Sequence, residues 1–221
     1  MSERFLPASD EDPHADTPLV TSGAPLRAAD VAVVLLHGRG ESAQSITRVA
    51  EEVYRHGIAF LAPQAAKYTW YPHRFDAPVE ANETWLTSAV DAVERAVQTA
   101  RDAGLDDERI VLFGFSQGAC LAAEYLRREP RRYGGAFVLA GALPGEPGER
   151  DHLGSLEGTP VFCGVGEDDP KIDVESVERT ADVFAAMDGD VTVETYPDTG
   201  HRITDGEIAA VEARLDALLD D

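Results

Sequence analysis

The chain has 221 residues, 43% of them hydrophobic, which suits one domain around one core, because a chain of this length buries roughly 70% of its unfolded surface. Its 41 acidic residues outnumber 19 basic ones, giving a formal net charge of -22, and Lys67 and Lys171 are the only lysines. That balance argues against nucleic acid or anionic lipid as a partner at low salt. It suits a halophilic protein of a salt-rich cytoplasm, where a Debye length of about 3 Å near 1 M screens the self-repulsion.

Residues 1–17 are polar and proline-containing and read as an irregular lead-in, with His14 on the surface. No apolar h-region marks a signal peptide, and no run approaches the roughly 18 residues of a membrane span, so a soluble, cytoplasmic protein is expected. One domain is expected over 18–221. "PLVTSG" reads as a short edge strand, and "VAVVLLHG" as a strand buried on both faces. Ile46, Val49, Ala50 and Val53 then recur at helical spacing, with His56 expected to cap the helix end, where a cation suits the dipole, and Gly57 as its stop. "IAFLAP" is the next buried strand. Leu86, Val90, Val93, Val97 and Ala100 form a second helical face, which Asn82 is placed to cap and Gly104 to end.

"RIVLFGF" is a strand, followed by a helix over 117–129 that Pro130 stops. "GGAFVLAGAL" and "TPVFCGV" are two more strands, separated by a loop over about 144–158 in which His152 is read as a surface residue. Val177, Ala181 and Phe184 mark a helix with Asp173 as its N-cap, "VTVETY" a strand, and Ile208, Val211, Leu215 and Leu218 the final helix. Thr204 and Glu207 match a capping box. This alternation predicts an α/β fold with a mostly parallel central sheet and helices on both faces. Cys120 and Cys163 sit in apolar contexts and read as small buried residues.

The chemistry begins at "GFSQG", residues 114–118, where a buried strand meets a helix. In that context G-x-S-x-G is a nucleophile elbow: a turn sharp enough to expose the Ser116 hydroxyl above the sheet, with helix N–H groups facing developing negative charge. The pentapeptide alone is a weak signal; its placement carries the weight. A serine needs a base, and His201 in "PDTGHRITDGE" lies after the last strand, at the sheet edge where alternating α/β proteins collect ligands and catalytic groups. The imidazole in turn needs an acid between 116 and 201, at the end of a strand. Glu167, Asp168 and Asp169, which follow "TPVFCGV", supply candidates. A metal site there is disfavoured, because adjacent side chains on an extended loop point apart.

"LLHGRG", "GFSQGA" and "TGH", in this order, resemble the oxyanion loop, elbow and histidine loop of the phospholipase/carboxylesterase branch of the α/β-hydrolase superfamily, the group that includes acyl-protein thioesterases and borders on dienelactone hydrolases. "PQAAKYTWYPHRF" is similar to a proline- and aromatic-rich segment of some members. The resemblance implies an α/β-hydrolase fold without a large cap, Ser116 as nucleophile and His201 as base. It implies an oxyanion hole from the backbone N–H groups of Arg39 and Gln117, and it selects Asp169, the residue before Pro170, as the acid. Position before proline favours an extended backbone that fixes the carboxylate; Asp168 stays open as the rival. Val165 and Asp173 depart from a histidine and a proline frequent in the family. Trp70, Tyr71, His73 and Phe75 of "YTWYPHRFDAP" either fold over a small core of their own or wall the substrate pocket.

The expectation is therefore a serine carboxylesterase acting on a small-molecule ester without metal or cofactor. A thioesterase or lysophospholipase on the same residues is the rival, and a non-catalytic ligand-binding protein of this fold the reading from another class. A homodimer stays open.

Overall fold

The structure is a computed structural model, and it describes residues 12–145 and 154–220. His152 lies outside the described residues. The strands are β1 (Leu19–Gly23), β2 (Val31–Leu36), β3 (Ile58–Pro63), β4 (Ile110–Phe115), β5 (Gly135–Leu139), β6 (Pro160–Gly166) and β7 (Asp190–Tyr196). The helices are α1 (Ala43–Val53), α2 (Glu83–Asp102), α3 (Gln117–Arg128), α4 (Val174–Ala186) and α5 (Asp205–Asp220). One 7-stranded sheet has the order β1-β3-β2-β4-β5-β6-β7, in which only β1 runs antiparallel to its neighbour.

Burial on both faces explains the continuous apolar runs. Every residue of β2 and β3 is buried. Val31, Val33 and Leu35 face one core with α1 and α5, while Ala32, Val34 and Leu36 face the other with α2, α3 and α4. A two-residue side-chain period thus sends one strand into two cores. β1 and β7 are the edges and their burial falls accordingly, β7 keeping mainly polar side chains in water. From β2 the chain steps outward to β3 and crosses back to β4, so the sheet reverses its winding direction beside β4. Ligands bind at such switch points, above the carboxyl ends of the strands.

Several local expectations change. His14 is fully buried rather than on the surface. Its Nε2–H donates to the Trp70 carbonyl at 2.9 Å, its Nδ1 accepts the Ala66 amide at 3.0 Å, and its own amide donates to Ser88 Oγ. The segment is polar, but His14 satisfies both ring nitrogens inside the protein. Helix α1 ends at Val53, so His56, exposed, stands beyond it instead of capping it. Gly57, with φ +92, serves the turn into β3. Asn82 precedes α2 without capping it; its side chain binds the His73 amide and the Arg74 carbonyl. Asp173 does cap α4, accepting the Ser176 amide at 2.8 Å, and Thr204 and Glu207 form their reciprocal box.

Candidate active site

Ser116 joins β4 to α3 with φ 56 and ψ -121, a backbone state that costs a non-glycine residue on the order of 1–3 kcal/mol. Packing sustains it. A Cβ on Gly118 would lie 2.1 Å from the Leu36 carbonyl oxygen, and one on Gly114 2.3 Å from that of Gly118, so only glycine lets α3 press this closely on β2 and β4. The Ser116 amide donates to the Leu139 carbonyl at 2.9 Å, which ties the elbow to β5.

His201 arrives from the loop after β7. Its Nδ1 lies 2.7 Å from Asp169 Oδ2 and its Nε2 2.8 Å from Ser116 Oγ. An ionised carboxylate only accepts, so Nδ1–H donates to Asp169, and Nε2 is left to accept the serine proton. The Asp169 side chain is wholly buried. Its second oxygen, Oδ1, accepts the amides of Lys171 at 2.8 Å and Ile172 at 3.2 Å, so an Asx turn fixes the carboxylate as firmly as the proline after it does. The His201 ring packs against Phe115, with centroids 5.1 Å apart.

Asp168 points elsewhere. It is exposed, and its Oδ1 accepts the amides of Gly200 at 2.7 Å and Thr199 at 3.0 Å, the residues leading into His201. Those amides, Gly200 first, hold its pKa below the usual carboxylate value. Glu167 is exposed. Three consecutive acids therefore divide into one on the imidazole, one on the backbone that carries it, and one at the surface.

Gly38 and Arg39 follow β2 and face the elbow; a Cβ on Gly38 would sit 3.4 Å from that of Ser116. Among the described residues nothing accepts the backbone N–H of Arg39 or of Gln117. Their side chains hold the aromatic loop. The Arg39 guanidinium donates to the carbonyls of Tyr71, Pro72 and His73 at 2.9, 2.8 and 2.6 Å. Gln117 accepts the Trp70 amide at 3.0 Å and donates to the Tyr71 carbonyl at 2.7 Å. His37 sits beneath, buried: Nδ1–H donates to the Gly38 carbonyl at 2.8 Å, and Nε2 accepts the Ala65 amide at 3.1 Å. Burial lowers the pKa of His37 and of His14, which keeps both rings neutral and able to accept at one nitrogen while donating at the other. The sequence reading missed these clamps. A histidine at the end of a buried strand and a glutamine directly after the serine were their only traces.

A cleft of about 400 Å³ opens beside Ser116, within the usual range for small-ligand sites. Tyr71, His73 and Phe75 line it. Trp70 does not: it is fully buried, donates its Nε1–H to the His37 carbonyl at 2.8 Å and packs on the rings of His14 and His37. A tryptophan with its one donor satisfied inward belongs to the core. Cys120 also borders the cleft, but burial pushes its thiol pKa up, so it stays protonated.

A family model described as phospholipase/carboxylesterase matches residues 19–219. The chain belongs to that family. Membership makes it a carboxylic ester hydrolase of the serine type. It is similar to a crystallised phospholipase/carboxylesterase from Dyadobacter fermentans, at 36% identity and a TM-score of 0.84, over 92% of this chain and 97% of that one. The Bacillus cereus carboxylesterase shares the fold at a TM-score of 0.73 and 22% identity, over 92% of this chain and 95% of that one. Among curated relatives, acyl-protein thioesterase 1 of Cryptococcus neoformans is 23% identical over 87% of this chain and 94% of its own length. No helix of the described residues is long and apolar enough to cross a membrane.

Proposed function

We propose that this member of the phospholipase/carboxylesterase family is a serine carboxylesterase that works through an acyl-enzyme. The observation that carries the reading is the relay Ser116 Oγ–His201 Nε2 at 2.8 Å and His201 Nδ1–Asp169 Oδ2 at 2.7 Å. Ser116 attacks the ester carbonyl as His201 takes its proton, and Asp169 orients the imidazole and offsets the charge it gains. The tetrahedral oxyanion is met by the Arg39 and Gln117 amides, and the α3 N-terminus adds its dipole. His201 protonates the departing alkoxide. Water, deprotonated by the same imidazole, then attacks the acyl-serine and frees the acid. These steps call for no metal or cofactor.

Thioester hydrolysis is the second reading, favoured by the relative named acyl-protein thioesterase; the same residues serve a thiolate leaving group. The high acid content supports a salt-rich cytoplasm as the setting. The test is turnover of matched p-nitrophenyl ester and acyl thioester by the wild type and by Ser116→Ala, in molar KCl. Loss of about 10⁴-fold or more in the variant is expected. Unchanged turnover, or failure of a fluorophosphonate to label Ser116, overturns the reading.

A further inference from the structure

Charge around the cleft runs against charge on the whole chain. The protein carries 41 acidic and 19 basic residues, yet among the described residues those lining the space beside Ser116 include Arg39, Arg74 and Lys171, together with His73, and no Asp or Glu. One of the chain's only two lysines stands here. A protein with so few cations places several of them in the lining beside its serine.

The acids nearby are not among the lining residues. Asp169 holds His201, Asp173 caps α4, and Glu41 accepts the Gly38 amide at 3.1 Å. Asp76 pairs with Arg74 at 2.9 Å, which offsets that cation at the rim. Two cations of the lining, Arg39 and Lys171, make no ion pair with a carboxylate among the described residues. Arg39 spends its guanidinium donors on three carbonyls, which are dipoles and leave its charge in place. Lys171, exposed, makes no ion pair among the described residues. The sheet order sets their places: Arg39 follows β2 and Lys171 follows β6, on opposite sides of β4, whose end carries Ser116. Tyr71 and Phe75 add apolar surface to the same cleft, with the Arg39 guanidinium 6.0 Å from the Tyr71 ring centroid.

We infer that the preferred substrates are small anionic esters, carrying a carboxylate that Lys171 and Arg39 attract while the aromatic wall takes the hydrocarbon part. The inference rests on the esterase reading of Ser116 and adds the substrate class. It also reverses what the net charge alone suggests, because a contact charge outweighs distant ones once salt screens everything beyond a few ångströms.

The experiment compares matched pairs of esters at one salt concentration, with the ratio of kcat/KM for the anionic to the neutral member as readout. Mono-p-nitrophenyl adipate against p-nitrophenyl hexanoate places the carboxylate on the acyl side; 4-acetoxybenzoate against its methyl ester places it on the alcohol side. For at least one pair the ratio exceeds 1 in the wild type and falls about tenfold in Lys171→Glu, the scale of one charge contact. Arg132→Ala, which removes a remote surface cation, leaves the ratio unchanged. Ratios below 1 for both pairs, or unmoved by Lys171→Glu while neutral esters turn over, overturn the inference and leave the esterase reading intact. No hydrolysis of any ester, with Ser116 unlabelled by a fluorophosphonate, overturns both.

Discussion

The carboxylate of Asp168 accepts the Gly200 amide at 2.7 Å, one residue before the histidine whose imidazole is held by Asp169. Neighbouring acids thus grip the same loop at two levels, one through its backbone and one through its side chain. Their consequences for activity differ. Asp169→Asn replaces the acceptor facing His201 Nδ1 with a mixed amide and favours the wrong tautomer, so kcat falls about 10⁴-fold. Asp168→Ala only loosens the backbone ahead of His201 and costs about tenfold, while Asp168→Asn, which keeps an acceptor oxygen, recovers most of it. Steady-state kinetics of the three variants checks this; a 10⁴-fold loss in Asp168→Asn moves the relay acid by one residue.

Gln117→Glu is expected to lower the melting temperature and kcat together. The buried side chain accepts the Trp70 amide and donates to the Tyr71 carbonyl. A carboxylate cannot donate, and it faces a carbonyl it repels. The loss is about 2 kcal/mol, the scale of an unpaired buried polar group. Calorimetry showing unchanged stability refutes the clamp.

Stability should decline with acid well before the carboxylates titrate. His14 and His37 have folded pKa values below their ordinary one near 6.5, because burial disfavours the charged ring. Below about pH 6.5 the unfolded chain binds protons that the folded chain refuses, so stability is complete above that value and falls as pH drops toward the folded pKa values. Thermal melts from pH 8 to 5 should show a plateau and then a fall. A flat profile down to pH 5 excludes the neutral-ring arrangement.

Salt should stabilise the fold. With a net charge of -22, self-repulsion is felt at low ionic strength and largely screened near 1 M. The melting temperature should rise steadily with KCl, and equal values at low and molar salt contradict the halophilic reading.

Much of this was legible in the sequence, for identifiable reasons. Fully buried strands such as "VAVVLL" announce themselves as apolar runs, and the crowding at Gly114 and Gly118 is written into the elbow motif. Order along the chain then pointed to His201 and to the acids Glu167, Asp168 and Asp169, of which the family resemblance selected Asp169. The contacts that hold the loops were not legible. His14 and Trp70 are 56 residues apart, and nothing local tells a histidine in a polar segment that it will be buried against a tryptophan. Asn82 stands where a cap belongs, yet the backbone of the aromatic loop claimed its side chain. Side-chain bonds to a distant backbone leave no periodic trace, which is why the pocket residues sorted less cleanly than the relay.

The relay spans the chain as well as the sheet. Ser116 and His201 are separated by 85 positions, and His201 hangs from the loop after β7, the edge strand. Contacts of such long range form late, after the loop entropy of closing them has been met. Catalytic competence should therefore lag behind helix formation when the unfolded chain is returned to native conditions, and a stopped-flow record of refolding should show the circular dichroism signal recovering before the first turnover.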